Sequence, residues 1–279
     1  MTQDPAKAKT NAKAAKSAAK SKTAKSTSTR TKKAASRRKS SSQAKADVKP
    51  VATKTLAVDI GGSGIKALVL DSQGQPVTDR LRIDTPHPAT PEAVVATVSH
   101  LAAEQGDFDR VAVGFPGVIR SGLTLTAVNL DGAWQGYNLQ TALEQVTKRP
   151  VRIANDADIQ GWGATQGQGV ELVLTLGTGF GSALFVDGRL VPNLELAHHP
   201  FRKGKTYEEQ LGRAALEKAG QKKWNKRLKK AIAQIQHLFN YDHLYIGGGE
   251  TDKISFELPE NVTIVSNQLG LLGGIKLWQ

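Results

Sequence analysis

One pattern of strand, glycine loop and strand occurs twice in this chain, and it limits the available folds more than any other feature. Thr55–Ile60 is apolar and β-branched and reads as a strand that ends in Gly61-Gly62-Ser63-Gly64. Ile65–Leu70 reads as the returning strand, closed by a turn at Asp71–Gly74. Leu172–Leu176, the loop Gly177-Thr178-Gly179-Phe180-Gly181, Ala183–Val186 and the turn Asp187-Gly188 repeat that order. Aligned without gaps, Leu56, Gly61, Ala67, Leu68 and Asp71 face Leu172, Gly177, Ala183, Leu184 and Asp187. Such a repeat predicts two similar lobes, each presenting a hairpin loop to a shared cleft.

The remaining pattern alternates strands with helices, which indicates α/β layers. Pro91–Glu104 reads as a helix with Thr90 as its N-cap and Pro91 at the first helical position. Arg110–Phe115 and Val151–Ala154 read as strands, and Ala157–Thr165 as a short helix. Tyr207–Lys218 and Lys222–Phe239 read as helices, His243–Ile246 and Val262–Val265 as strands, and Leu269–Leu277 as a closing helix. The organisation expected is a tail over 1–53, a first lobe over 54–154 joined by the terminal helix 269–279, and a second lobe over 155–268.

Charge separates the tail from the rest. Residues 1–50 hold 15 Lys/Arg against Asp4 and Asp47, so the whole formal net charge of +13 lies there. The Lys/Ala/Ser/Thr composition, without aromatics, cannot bury enough surface to offset ordering entropy, and a disordered basic segment is expected. It serves either as a solubilising leader or as an arm for nucleic acid or polyphosphate, which gains from counterion release. No apolar run approaches 18 residues, so no membrane span is expected. The N-terminus shows no apolar signal core, and the chain has no cysteine. Thiolate nucleophiles, disulfides and cysteine zinc sites are thereby excluded, and a cytoplasmic setting fits.

The glycine loops are candidate phosphate cradles. Lys66 is followed by Ala67 and then by strand, so Asp59-Ile-Gly-Gly-Ser-Gly-Ile-Lys66 is neither a Walker A loop nor a dinucleotide fingerprint. It remains a hairpin whose glycines let backbone N–H groups approach an anion. Asp59 is placed to hold Mg²⁺ through water. Lys66 either neutralises a phosphate or sits on the solvent face of its strand. Thr178 adds a hydroxyl to the second loop, beside Gly179 and Gly181. Gly247-Gly248-Gly249, after a strand, is a third close-approach loop or a plain strand-to-helix turn.

Asn155-Asp156-Ala-Asp158 follows a strand end, where clefts of open α/β sheets form. A carboxylate there can act as general base toward a hydroxyl, and phosphoryl transfer asks for little more besides alignment and positive charge. Taken alone, an Asn-Asp pair is equally a helix cap. Asp158, on the opening turn, is expected to complement the helix dipole. Glu195 and His198 would share a face of one helical turn and can bond adjacent hydroxyls of a polyol. Zinc binding is the competing reading of that pair.

Taken together these segments resemble the ROK family of sugar kinases and regulators, and the resemblance covers roughly residues 54–279. It is carried by Val58-Asp-Ile-Gly-Gly-Ser-Gly-Ile-Lys66, Val113-Gly-Phe-Pro-Gly-Val118, Val128-Asn-Leu-Asp131 with Trp134, Asn155-Asp156-Ala-Asp158, Leu174–Leu190, Pro192–His198 and Ile246-Gly-Gly-Gly249. The match is nearest the polyphosphate-dependent glucokinase branch. The resemblance implies an actin-like (ribonuclease H-like), duplicated, two-lobed kinase fold and a homodimer. It implies that Asp156 takes the proton from the 6-hydroxyl of glucose, that Asn129, Asn155, Glu195, His198 and Glu208 bind sugar hydroxyls, and that Asp59 and the glycine loops hold Mg²⁺ and the phosphates of polyphosphate or ATP. Glu208 is preferred to Glu209 for the last sugar ligand. Two departures stand out. The cysteine-rich zinc motif found in many members is absent, and Ala197 replaces the glycine of Glu-x-Gly-His. Lys218, Lys222, Lys223, Lys226, Arg227, Lys229 and Lys230 form one basic segment that can steer a polyanion or can be a solvated helix face. The alternatives are an ATP-dependent hexokinase for mannose or N-acetylmannosamine, and a sugar-sensing nucleic-acid binder that uses the tail.

Overall fold

The computed structural model describes residues 53–127, 130–266 and 269–279. The expectations for the tail through Ala52, and for Asn129, fall outside those residues. The first lobe contains, in chain order, β1 (Thr55–Ile60), β2 (Ile65–Leu70), β3 (Leu81–Ile83), α1 (Pro91–Gln105), β4 (Arg110–Phe115), the hairpin β5 (Ile119–Arg120) and β6 (Leu123–Thr124), α2 (Leu139–Thr147) and β7 (Val151–Asn155). Helix α3 (Asp156–Ala164) leads on to β8 (Val170–Leu176), β9 (Phe180–Val186) and β10 (Arg189–Val191). A 3-10 turn at Leu196–His198 and the hairpin β11 (Pro200–Arg202) and β12 (Lys205–Thr206) follow. Then come α4 (Glu208–Leu211), α5 (Arg213–Ala219), α6 (Gln221–Phe239), β13 (His243–Gly247) and β14 (Val262–Ile264). The last described element, α7 (Leu269–Leu272), tightens into a 3-10 helix over Gly273–Trp278.

The duplication extends well past the two hairpins. One sheet has the order β3-β2-β1-β4-β7 and the other β10-β9-β8-β13-β14. In each, an antiparallel hairpin is flanked by two parallel strands. This is the actin-like α/β arrangement.

Strand periodicity explains how each sheet is covered on both faces. In β1, Leu56, Val58 and Ile60 point into a core shared with Val98 and Leu101 of α1 and Leu139 and Leu143 of α2. Ala57, with Leu68 and Leu70, points the other way, against Leu271 and Ile275. In β8, Leu172, Leu174 and Leu176 meet Trp224, Leu228 and Ile235 of α6, while Val173 faces Ala157 of α3. Helix α3 therefore rests on the second sheet and also crosses the C-terminal 3-10 helix. Gly273 permits that crossing: a Cβ there would lie 1.9 Å from the Ile159 carbonyl oxygen.

Two expectations need correction. The single helix over Tyr207–Lys218 is two, α4 and α5, divided at Gly212 (ψ 167°). The Arg213 N–H donates to the Gly177 carbonyl (2.9 Å), so the backbone is tied to the second glycine loop there and cannot continue one helix. The closing helix is α-helical only over Leu269–Leu272. Asp158 lies on the first turn of α3, as expected; it is also buried, and its carboxylate accepts from the Asn193 N–H at 3.4 Å. Sequence reading also missed α2, which Asn138 caps by accepting from Thr141 N–H (3.0 Å), and the short edge strands β3 and β10.

Candidate active site

Both glycine loops open on one cleft of about 330 Å³ between the two sheets. Asp59, Gly61, Gly62, Ser63, Gly64 and Lys66 line it from the first hairpin, and Thr175, Gly177, Thr178, Gly179 and Gly181 from the second. The loops meet at their tips, where Ser63 Oγ lies 3.4 Å from Thr178 Oγ1. Not every loop N–H is free for an anion. Gly61 donates to the Gly64 carbonyl (3.1 Å), Gly177 to the Gly179 carbonyl (3.1 Å), and Gly181 to Thr175 Oγ1 (3.1 Å). Among the described residues, the N–H groups of Gly62, Ser63, Thr178 and Gly179 carry no such bond. Backbone donors open to an anion are thus concentrated at the tips.

Lys66 lines the cleft and is engaged there by a carboxylate. Its ammonium bonds Asp59 Oδ2 at 2.8 Å across the hairpin register, with the two side chains 32% and 20% exposed. The other Asp59 oxygen has no hydrogen-bond partner among the described residues. That donor set suits Mg²⁺, a hard cation that takes one or two carboxylate oxygens and fills its shell with water and phosphate. No group of three or more His, Asp or Glu that could hold a metal occurs among the described residues, which leaves the zinc reading of Glu195 and His198 without a ligand set.

Helix α3 brings Asn155 and Asp156 to the floor of the cleft. Asn155 is the helix cap. Its Oδ1 accepts from the Ala157 (2.8 Å) and Asp158 (3.3 Å) N–H groups, while Nδ2 donates to the Gly117 carbonyl at 3.2 Å. The oxygen is committed, and one amide N–H remains for a ligand. Asp156 follows at the first helical position, and only its Oδ1 has a protein partner among the described residues, the Ala157 N–H at 2.8 Å. Burial, with the Asp59 charge second, pushes the Asp156 carboxyl up to about 7. The Ala157 hydrogen bond opposes that shift without cancelling it. A carboxylate poised there can accept a proton near neutral pH.

The 3-10 turn at Leu196–His198 also lines the cleft with Glu195 and His198, whose Oε2 and Nε2 lie 3.5 Å apart. Ser182 of β9 pins this turn: its Oγ donates to the Leu194 carbonyl (2.6 Å) and accepts from Leu196 N–H (3.2 Å). Ala197, standing where the family has glycine, is buried in the second core, so its methyl is accommodated. Burial raises the proton affinity of Glu195, and His198 partly offsets it. Glu208 lines the cleft and accepts from the Phe180 N–H at 3.2 Å. Glu209 instead pairs with Lys205 (2.9 Å) and caps α4 with Thr206.

Of the third loop, Gly248 and Gly249 line the cleft, whereas Gly247 closes β13 behind it. The structure adds three residues that the sequence did not single out. Arg82 lies over the first loop, donating to the Ser63 carbonyl (2.9 Å), and a Cβ on Gly64 would meet its guanidinium at 2.7 Å. Arg213 is paired to Glu250 at 2.6 Å. Gln160 is buried one turn along α3. Arg82 sits on a three-residue edge strand too short to register, and Arg213 and Gln160 have no neighbouring motif.

The ROK family model matches residues 55–193. A polyphosphate glucokinase from Mycobacterium tuberculosis is 34% identical over 233 residues, spanning 77% of this chain and 88% of that protein. The crystal structure of an inorganic polyphosphate/ATP-glucomannokinase from Arthrobacter sp. strain KM superposes with a TM-score of 0.75 at 32% identity, covering 81% of this chain and 100% of that one. A ROK family glucokinase from Streptomyces griseus shares the fold, with a TM-score of 0.69 at 21% identity over 80% of this chain and 98% of that one. Similarity of this extent, on a common duplicated fold, shows that the chain belongs to the ROK family and is a sugar kinase.

Proposed function

We propose that the enzyme transfers a phosphoryl group to the 6-hydroxyl of glucose, with inorganic polyphosphate as donor, ATP as the alternative donor and Asp156 as general base. The observation that carries this reading is that a single cleft is lined by Asp156, by Glu195, His198 and Glu208, and by the tips of both glycine loops. Its proton affinity near 7 matches the work of a base at neutral pH. The donor and sugar are supported by the 34% identical relative, which is named a polyphosphate glucokinase.

In this reading Asn155, Glu195, His198 and Glu208, with Asn129, bind sugar hydroxyls and turn the 6-hydroxyl toward Asp156. Gly62, Ser63, Thr178 and Gly179 donate backbone N–H groups to phosphate oxygens, with Gly61, Gly64, Gly181, Gly248 and Gly249 leaving room for the chain to pass. Asp59 would hold Mg²⁺, which supplies positive charge to the phosphoryl oxygens. Lys66 is the adjacent cation. The cleft divides lobes 54–154 and 155–268, and we place the enzyme in the cytoplasm as a homodimer, following the family resemblance.

Glucose 6-phosphate formation from glucose, measured with polyphosphate and with ATP, tests the assignment. Mannose is the second acceptor to include, because the Arthrobacter relative is named a glucomannokinase. Asp156→Asn keeps the shape and removes the base, so turnover should fall by about 10²–10⁴-fold while glucose affinity stays within about tenfold. Near-normal turnover in that variant rejects Asp156 as base.

A further inference from the structure

A phosphate chain entering this cleft meets Asp59, Asp156, Glu195 and Glu208, so its affinity depends on the cations of the same surface. Among the described residues, three Lys or Arg side chains line it: Lys66, Arg82 and Arg213. They differ in the donors they keep. Lys66 is engaged by Asp59 at 2.8 Å. Arg82 spends Nη2 on the Ser63 carbonyl (2.9 Å) and Nη1 on Asp84 (2.6 Å). Arg213 is engaged through Nε, which donates to Glu250 Oε1 at 2.6 Å, and neither of its Nη groups has a hydrogen-bond partner among the described residues. The Arg213 side chain is 42% exposed, that of Glu250 only 10%. The free end of the guanidinium lies along the cleft lining: Nη2 is 3.7 Å from where a Cβ on Gly249 would stand, and Gly249 lines the cleft. Both members of the pair are fixed to the second glycine hairpin. Arg213 N–H donates to the Gly177 carbonyl (2.9 Å), and Glu250 N–H donates to the Leu176 carbonyl (3.0 Å). A lysine would satisfy Glu250 with one donor, whereas the arginine does so side-on and leaves its two-pronged end open.

We propose that Arg213 is a ligand of the phosphoryl donor, with its two Nη groups bonding phosphate oxygens of the chain. The ligand class is a phosphate oxyanion chain, shared by polyphosphate and a nucleoside triphosphate, and the proposal rests on the reading of the cleft as a phosphoryl-transfer site. Guanidinium and phosphate meet through two parallel charge-assisted hydrogen bonds, a geometry that an ammonium does not reproduce. The bond to buried Glu250 orients the guanidinium before the donor arrives, so less side-chain freedom is lost on binding.

Arg213→Met removes the fork, and Arg213→Lys keeps the charge without it. Arg213→Met combined with Glu250→Met removes the pair together, so that no buried carboxylate is left unpaired and the fold is kept. Binding of inorganic polyphosphate and of ATP to the glucose-loaded protein is measured by calorimetry at two salt concentrations, alongside donor and glucose KM and thermal unfolding. The expected result is a Kd and KM for both donors raised about tenfold or more in Arg213→Met and in the double variant, and by a smaller factor in Arg213→Lys, with glucose KM within about twofold. The double variant leaves the net charge unchanged, so a weaker salt dependence of polyphosphate affinity there reports a lost contact, which a merely structural ion pair does not produce. Donor affinity equal to wild type in a folded variant lacking Arg213 overturns the proposal, as does a glucose KM raised by the same factor as the donor KM. A wild type that binds neither donor overturns the functional reading itself, which is a different outcome.

Discussion

Ser63 Oγ and Thr178 Oγ1 stand 3.4 Å apart, each at the tip of one copy of the repeated hairpin. A hydroxyl from each lobe thus flanks the place where the loop N–H groups are free. Both can turn to a phosphate oxygen between them, since a hydroxyl donates and accepts. Ser63→Ala and Thr178→Val should each raise donor KM several-fold, with glucose KM little changed. The double variant should lose less than the product of the two single losses if both hydroxyls serve one phosphate group. Donor KM values indistinguishable from wild type would show that the tips contact each other and nothing else.

The Asp156 carboxyl, pushed up to about 7, must be ionised to accept a proton. The rate constant kcat/KM for glucose should therefore fall about tenfold per pH unit below about pH 7 and level off above it. In kcat the limb should move to lower pH where a cation near Asp59 favours the ionised carboxylate more than the negative phosphate chain disfavours it. A profile flat from pH 5.5 to 8 is incompatible with this role.

Asp158 predicts an effect on stability and not on chemistry. Burial pushes its carboxyl up to about 7 from an ordinary 3.8, with Glu195 adding to the shift and the Asn193 N–H opposing it. The native state therefore holds a proton that the unfolded chain has released between those values. Stability is full below about pH 4, declines as pH rises through the window by up to about 1.4 kcal/mol per pH unit, and is flat above about 7. Asp158→Asn lacks this loss, so its Tm relative to wild type should rise between pH 5 and pH 8. A Tm difference that does not vary with pH would mean that Asp158 titrates normally.

Helix α6 buries Trp224, Leu228, Ile232 and Ile235 and turns Lys222, Lys223, Lys226, Lys229 and Lys230 outward. None of those lysines forms an ion pair with a described residue. Arg213, on the cleft wall, begins α5, which Gly220 (φ 76°) separates from α6. Glu at positions 222, 223 and 226 together should raise KM for long polyphosphate at least several-fold more than KM for ATP, with the gap narrowing as salt rises. Equal effects on both donors would leave this face as ordinary solvated surface.

Much of this site was legible because its parts repeat or punctuate. The hairpins were readable from β-branched runs ending in glycines, and β1 and β2 lie at the expected boundaries. The pairing of Lys66 with Asp59 was not, because it depends on cross-strand register, which neither residue states alone. Asp158 was legible as a first-turn carboxylate, but its burial and its bond from the Asn193 N–H were not, because they depend on a distant segment. Gly212 broke a helix that propensity would continue, since the tie from Arg213 to Gly177 is a tertiary fact. Arg82 and Gln160 were silent because the cleft each lines is built by distant segments.

The two hairpins, alike in backbone, differ in what they carry. Asp59 in the first corresponds to Thr175 in the second, and Thr175 spends its hydroxyl on the Gly181 N–H. One half thus offers a charged pole that attracts cations, and the other a neutral one. A pseudo-twofold cavity with matched halves would admit a chain of identical phosphates in either orientation. For the proposed polyphosphate donor, divergence at positions such as this pair would give the cavity a head and a tail that a chain of identical phosphates lacks.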